Sequence, residues 1–405
     1  MSRQRKLAVL GKGTAGVLAM AEILNRPEFQ NNTNFEWYYD SSIKPQAVGE
    51  GSTLAVPRAL FGNLGFTHHD LHNIDGTFKH GIRKMNWCND NKDFYHEFNP
   101  PGVGYHFNAV ALQNYIFDLI KDKVTLCDGN ITSDEIDADY IIDCSGKPTD
   151  YSLFHEPKYI PINAAYVTQC FWDMPRFFYT LTMARPYGWV FGIPLRHRCA
   201  IGYMFNDKIT DLNSIKEDVK NVFDEFNLTP STTTNELHFK NYFRKTNFVK
   251  NIAYNGNASF FLEPLEATTL TGVDYVNKWA CEIISNPNII HSKNNMYKLR
   301  TINTERMIML HYFAGSIFKT DFWDFAYENA RLCIEEAVKD QDWMVMYEIS
   351  KTANFKDPTA NIKKLNSESW VRVNSEDWSD WSYYSNLSNI GLNLYDKIDA
   401  LKINR

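Results

Sequence analysis

The chain opens with a short apolar run at 6–10, a glycine-rich turn Gly11-Lys12-Gly13-Thr14-Ala15-Gly16, and then VLAMAEIL, apolar at helical spacing. That succession predicts strand, turn and helix. The aromatic-rich segment 35–39 predicts a second strand, ending in Asp40, and Tyr140-Ile141-Ile142-Asp143-Cys144-Ser145-Gly146 predicts a buried strand running into a turn. Residues 164–205 are dense in β-branched and aromatic side chains broken by Pro and Gly, the pattern of several antiparallel strands. Strand character returns at 237–253. Beyond Val273 the period becomes helical, most clearly in TERMIMLHYFAG and FAYENARLCIEEAVKDQDW. The segment 366–387, rich in Ser, Asp and Trp, has no clean period, and no repeat of solenoid length occurs. The pattern predicts an α/β chain with a helical end.

Composition narrows the partners. A length of 405 residues gives two or three domains or one large composite, ample for a deep core. The balance of 42 basic against 48 acidic residues, −6, points to neither a nucleic-acid nor an anionic-membrane partner. No run of 18 apolar residues occurs, so no membrane span is expected. Arg3, Arg5 and Lys6 before an apolar stretch ending in Ala19-Met20-Ala21 imitate a signal peptide, but Lys12 interrupts the run and the glycine spacing assigns it to the turn. The seven cysteines (Cys88, Cys127, Cys144, Cys170, Cys199, Cys281, Cys333) form no C-x-x-C pair and read as reduced core residues, so a cytoplasmic location is expected. Aromatic residues make up 15%, enough for thick cores and ring-lined pockets alike.

The first candidate chemistry is G-x-G-x-x-G between strand and helix. Gly11, Gly13 and Gly16 let the backbone turn tightly and approach a pyrophosphate at the helix N-terminus, with Thr14 and Ala15 between them. Asp40, at the end of the second predicted strand, is placed to accept the ribose hydroxyls. This is a dinucleotide site; the motif does not separate FAD from NAD(P). A helix over HHDLH would set His68 and His72 on one face, but no third ligand at a familiar spacing joins them. They read as a surface cluster, and no metal is expected.

Further strings in fixed order make the chain resemble the flavin-dependent halogenases of the tryptophan-halogenase type. GKGTAG is similar to that family's G-G-G-T-A-G, and Gly49-Glu50-Gly51-Ser52 to its G-E-A-T. Lys79, in Thr77-Phe78-Lys79, sits where the family carries its catalytic lysine, shortly before an N-W pair seen here as Asn86-Trp87. Phe94-Tyr95-His96-Glu97-Phe98 resembles F-Y-H-P-F, and Ile142–Gly146 resembles I-D-C-S-G. Trp189-Val190-Phe191-Gly192-Ile193-Pro194 resembles W-x-W-x-I-P, with Phe for the second Trp. Glu263-Pro264-Leu265-Glu266-Ala267-Thr268-Thr269 is similar to E-P-L-E-S-T-G, with Ala267 for Ser and Thr269 for Gly. The matches run from Gly11 to Thr269.

The resemblance implies a glutathione-reductase-like, Rossmann-type FAD-binding fold with an antiparallel substrate-side sheet and a mainly helical C-terminal region. Its domains are expected as 1–285, a FAD-binding module with the sheet inserted near 164–250, and 286–405. It implies that Gly11, Gly13, Thr14, Ala15, Gly16, Asp40, Gly49 and Glu50 bind FAD. Lys79 and Glu266 are the catalytic pair, Thr268 and Thr269 hold halide, and His96 and Phe98 sandwich an aromatic substrate. Trp189, Phe191, Ile193 and Pro194 separate flavin from substrate. A separate reductase would deliver FADH2, since no second dinucleotide fingerprint is present. A lysine in a dry pocket beside a carboxylate has its pKa pulled down by desolvation and up by the anion. Two other readings stand beside this one. A flavin aromatic hydroxylase would need no Lys79, and its usual second motif begins Gly-Asp where this chain has Gly256-Asn257. A flavin-binding protein without turnover is the other. Trp370, Trp378 and Trp381 are read as a lid or as aromatic staples, and oligomeric state is left open.

Overall fold

A glycine turn between an apolar strand and an apolar helix specifies the start of the fold, and the computed structural model of the chain bears it out. The structure describes residues 3–45, 49–87, 94–98, 103–340 and 342. Two compact units emerge, each assembled from three pieces: Met1–Gly76 with Phe107–Pro157 and Lys240–Thr304, and Thr77–His106 with Lys158–Phe239 and Glu305–Arg405.

In the first unit Arg5–Leu10 lies parallel to Thr33–Tyr39 on one side and to Tyr140–Asp143 on the other. Thr125–Asp128 and Ile252–Tyr254 extend the sheet in parallel, and Phe248–Val249 closes one edge antiparallel. Strands covered on both faces are unbroken apolar runs, which is why Leu7 to Leu10 and Tyr140 to Asp143 carry no alternation. The crossover after the first strand is the helix Thr14–Asn25, buried from Gly16 to Ile23. Ala8, Leu10, Ile136, Ile141 and Ile252 pack together on the sheet.

The second unit is built on a seven-stranded sheet, in the order Thr229–His238, Ala164–Phe171, Arg198–Phe205, Gly188–Pro194, Thr180–Arg185, Gly81–Met85, Phe94–Glu97. The four strands within 164–205 are the antiparallel set the sequence predicts. Gly81–Met85 joins them in parallel beside Thr180–Arg185, a pairing across nearly a hundred residues of chain. Leu181, Met183, Val190, Ile201 and Tyr203 form one apolar face, covered by Ile215, Val219 and Val222. Those three lie on the helix Leu212–Glu225, which the sequence reading did not single out; Leu212 and Phe223 pack beside them, and its cap is Asp211, which accepts from the Asn213 and Ser214 amides. The strand expected from 237 begins at Thr229, because its polar, exposed residues hide the period. The helical region likewise starts at Thr268, ahead of Val273.

Among the described residues no helix is long and apolar enough to cross a membrane. Of the six described cysteines, all reduced, Cys144, Cys170, Cys199, Cys281 and Cys333 are buried and Cys127 is half-buried. Cys170 and Cys199 face each other across neighbouring strands. The Trp-rich segment 366–387 lies outside the described residues.

Candidate active site

The glycine turn of the first unit is shaped by contacts that admit no side chain at two of its three glycines. Gly11, at φ +107°, lies so close to the Cys144 carbonyl that a Cβ would overlap it, and a Cβ at Gly16 would overlap the Gly11 carbonyl. Gly13 differs. Nothing lies within 4 Å of the place its Cβ would occupy, and as N-cap of the helix it leaves the first amides without a side-chain partner. Open space over uncapped amides at a helix N-terminus is what a pyrophosphate requires, so the turn fits FAD. Gly256, at φ +57°, packs against Ala15, and Gln113 Nε2 donates to Thr14 Oγ1 at 3.1 Å. Asp40 follows the second strand as expected and accepts from the amide and hydroxyl of Ser42 at 2.8 and 2.6 Å. Gly49 and Glu50 fall on the short strand Gly49–Gly51; the Glu50 side chain lies outside the described residues. Lys12, the residue that departs from the family's glycine, lays its ammonium 3.6 Å from the centre of the Phe117 ring.

The segment 263–269, expected from the resemblance to hold halide, belongs to the same unit. Leu265–Ala267 makes one 3-10 turn, and Ala267 then adopts a left-handed conformation at φ +53°, which costs a non-glycine residue about 1 kcal/mol. This kink starts the helix Thr268–Ser285 with no side-chain cap, so Thr268 and Thr269 open a helix whose first amides are free to meet an anion. Thr268 Oγ1 is itself buried without a hydrogen-bond partner, and Thr268 lines a small cavity with Phe260, Leu262, Gly272, Trp279 and Arg300. Glu266 falls on the 3-10 turn, but its side chain lies outside the described residues.

In the second unit, Thr77–Lys79 pairs antiparallel with Gly104–Asn108, Thr77 opposite His106 and Lys79 opposite Gly104. Lys79 has no solvent exposure at all, the opposite of an ordinary lysine. Its Nζ lies 5.6 Å from the centre of the Phe98 ring, and the Phe98 amide donates to the His80 carbonyl at 3.0 Å. The structure thus brings together two residues that the sequence reading assigned to catalysis and to substrate. His96 lies on Phe94–Glu97 opposite Ile82, its side chain outside the described residues.

Trp189, Phe191 and Ile193 alternate along one face of Gly188–Pro194, opposite the face on which Val190 joins the core. The Trp189 and Phe191 rings are 6.3 Å apart, and the outer edge of the Phe191 ring sits against Gly202, where a Cβ would overlap it. Pro194 contributes through its carbonyl, which accepts from Thr77 Oγ1 at 2.6 Å. Thr77 Oγ1 is also 3.2 Å from His106 Nδ1, and His106 Nε2 is 2.9 Å from Thr180 Oγ1. Burial, reinforced by the nearby Lys79 charge, pushes the His106 pKa well below the usual histidine range, so the ring is neutral. Thr77, His106, Thr180 and Gly202 were not singled out from sequence. A histidine inside the strand string GYHFN is the only trace they leave, and it carries no period. Asn86 is left-handed at φ +61°, and Trp87 donates its indole N–H to the Thr182 carbonyl at 3.1 Å.

The histidine cluster is a correction in geometry. His68–Ile74 is a 3-10 helix, so residues four apart do not share a face, and the His72 ring bonds the His69 carbonyl. Among the described residues no group of three or more His, Cys, Asp or Glu is gathered for a metal.

With this geometry in hand, comparison with known proteins is direct. The profile of the tryptophan halogenase family matches residues 6–125 and 120–341. Tryptophan 7-halogenase RebH of Lentzea aerocolonigenes is 23% identical over 328 residues, which are 71% of this chain and 59% of the relative. The chain thus spans about three fifths of the length of that curated relative. The crystal structure of a tryptophan halogenase from Shewanella frigidimarina NCIMB 400 superposes with a TM-score of 0.74 at 17% identity, over 100% of this chain and 96% of that one. BrvH, a flavin-dependent halogenase from Brevundimonas sp. BAL3, superposes with a TM-score of 0.72 at 20% identity, over 98% and 97%. The parallel sheet with its open glycine turn therefore has the fold of flavin-dependent halogenases, and the two matched segments take in well over half the sequence: the chain belongs to the tryptophan halogenase family.

Proposed function

We propose that the chain is a flavin-dependent halogenase that uses FADH2, oxygen and halide to halogenate an electron-rich aromatic or heteroaromatic small molecule. The observation that carries the reading is Lys79, a lysine removed from water and set against the Phe98 ring. When bound, reduced flavin with oxygen supplies the oxidising equivalents that turn halide into hypohalous acid. The open amides at Gly13 hold the pyrophosphate, with Gly11, Thr14, Ala15 and Gly16 shaping the turn, Asp40 on the ribose, and Gly49 and Glu50 completing the cofactor contacts. The uncapped amides of Thr268 and Thr269 hold the halide. Trp189, Phe191, Ile193 and Pro194 keep the substrate away from the flavin.

Lys79 then presents the halogen. It either donates a hydrogen bond to hypohalous acid or exchanges an N–H proton for halogen as water leaves. Glu266 accepts the proton that the ring loses on re-aromatising. His96 and Phe98 clamp the ring. A separate reductase supplies FADH2, and the protein works in the cytoplasm.

The test supplies reduced FAD, oxygen and bromide with a phenol or an indole and analyses the products by mass. A brominated product, read by its isotope doublet, is expected. Hydroxylated product alone overturns the reading in favour of an aromatic hydroxylase; no product from a wide panel overturns it in favour of a flavoprotein without turnover.

A further inference from the structure

We infer that His106 is a positioning residue for Lys79, an Nδ1–H imidazole that ties the lysine strand Thr77–Lys79 to the end of the strand Gly188–Pro194 and to Thr180. The inference rests on the catalytic reading of Lys79 given above.

The direction of each bond follows from the partners. The Pro194 carbonyl can only accept, so the single hydroxyl proton of Thr77 goes to it at 2.6 Å. Thr77 Oγ1 must then accept from His106, which places the ring proton on Nδ1. In the neutral ring Nε2 becomes an acceptor, and the Thr180 hydroxyl donates to it at 2.9 Å. The hydrogen bonds thereby run from the half-buried Thr180 to the buried His106, to Thr77 and to Pro194. Among the groups around His106, Lys79 and His80 are the titratable ones, both pressing it toward neutrality; the Phe78 backbone pulls the other way and is outweighed by burial and the Lys79 charge, while Thr77 and Thr180 carry no charge. A protonated ring would set a second cation beside Lys79 inside a dry interior.

The consequence falls on Lys79 through strand geometry. Thr77 and Lys79 are two residues apart, so their side chains leave the strand on the same face, and both are fully buried. Fixing the Thr77 hydroxyl in space fixes the backbone from which the lysine extends. A register slip of one residue would send Lys79 to the other face. Apolar packing alone tolerates small slides; a directed chain of three hydrogen bonds does not.

The test compares His106→Phe, His106→Asn and Thr77→Val in the full chain with the wild type. His106→Asn keeps a side-chain N–H for Thr77; His106→Phe keeps bulk alone. Brominated product per flavin oxidised is expected to fall about tenfold or more in His106→Phe and Thr77→Val, and to stay within about threefold of wild type in His106→Asn. Flavin oxidation is expected unchanged in all three. The inference is overturned if His106→Phe brominates within about twofold of wild type, or if folded His106→Asn falls as far as His106→Phe. Nitrogen-15 spectra of the wild-type imidazole give a reading that needs no variant to fold. A proton on Nδ1 and a bare Nε2 from about pH 8 to 6 are expected; the opposite tautomer, or protonation in that range, overturns the relay. A wild type that brominates nothing overturns the halogenase reading and with it the positioning role, while the spectra still decide the hydrogen-bond chain.

Discussion

In the function proposed above, the glycine turn and the lysine strand are two solutions to one problem, holding a reactive species in a fixed place, and they are written in different materials. At the turn the backbone does the holding. Gly11 and Gly16 touch carbonyls so closely that any side chain is excluded, and Gly13 leaves a gap over free amides. Around Lys79 side chains do it, anchored on one carbonyl: Thr77, His106 and Thr180, with the Pro194 carbonyl, come from four places in the sequence. A backbone site is local and declares itself as spacing. A side-chain site is assembled across the fold and declares itself only when the strands are paired.

The sharpest break in that comparison lies within the turn. Gly16→Val, driving a side chain into the Gly11 carbonyl, should destabilise the first unit by about 3 kcal/mol or more, read as loss of soluble protein or a collapsed denaturation midpoint. Gly13→Val should leave the midpoint within about 1 kcal/mol of wild type yet abolish FAD binding, since its side chain enters empty space. Equal damage from the two, or unchanged FAD affinity in Gly13→Val, would erase the distinction between scaffold and cradle.

Lys79→Ala probes the other material. Halogenation should fall by a factor of about 100 or more, equivalent to ~2.7 kcal/mol, while oxygen consumes reduced flavin at the wild-type rate. A wild-type product yield and regiochemistry would remove Lys79 from the mechanism. Glu266→Gln should lose about tenfold and keep some product, because an amide still polarises by hydrogen bonding but takes no proton. Gly202→Val, which pushes the Phe191 ring off its seat, should cost about 1–3 kcal/mol of stability and lower product per flavin severalfold. The smallest effect concerns substrates. A ring clamp adds only ~0.5–1.5 kcal/mol beyond burial, so free tryptophan should compete no better than simple indoles, phenols and pyrazoles. A hundredfold preference for tryptophan in mixed-substrate kinetics would demand an amino-acid grip elsewhere in the chain.

What the sequence disclosed follows the same division. The parallel strands at 5–10 and 140–143 were legible because strands buried on both faces are largely apolar runs, the strand at 33–39 by its aromatic end, and the glycine turn because its spacing is a steric code. The helix Leu212–Glu225 was missed although Leu212, Ile215, Val219, Val222 and Phe223 form its packed stripe, because nine of its fourteen residues are polar and set it inside a hydrophilic stretch. The strand Thr229–His238 was read late because exposed threonines look like loop. His106 was invisible for another reason: a single histidine in a strand acquires meaning only from Thr77, Thr180 and Pro194, and none of these is a neighbour in sequence. Gly202 escaped because its role is to be a floor for a ring on the adjacent strand.

The thiols carry a consequence for how long such a molecule would last. Burial raises the pKa of Cys127, Cys144, Cys199 and Cys333, and that of Cys170 and Cys281 to about 12, so the thiolate, the form that attacks an electrophile, is scarce at neutral pH. Hypohalous acid and haloamines consume thiolates readily, and a catalyst of the proposed kind meets its own product's oxidant at every turnover. Keeping these sulfurs protonated and largely dry makes them poor scavengers. The working lifetime of the chain is then set by how well the oxidant is delivered, and each halogen that misses the substrate goes to the methionines and aromatic rings, the next most oxidisable side chains in the protein.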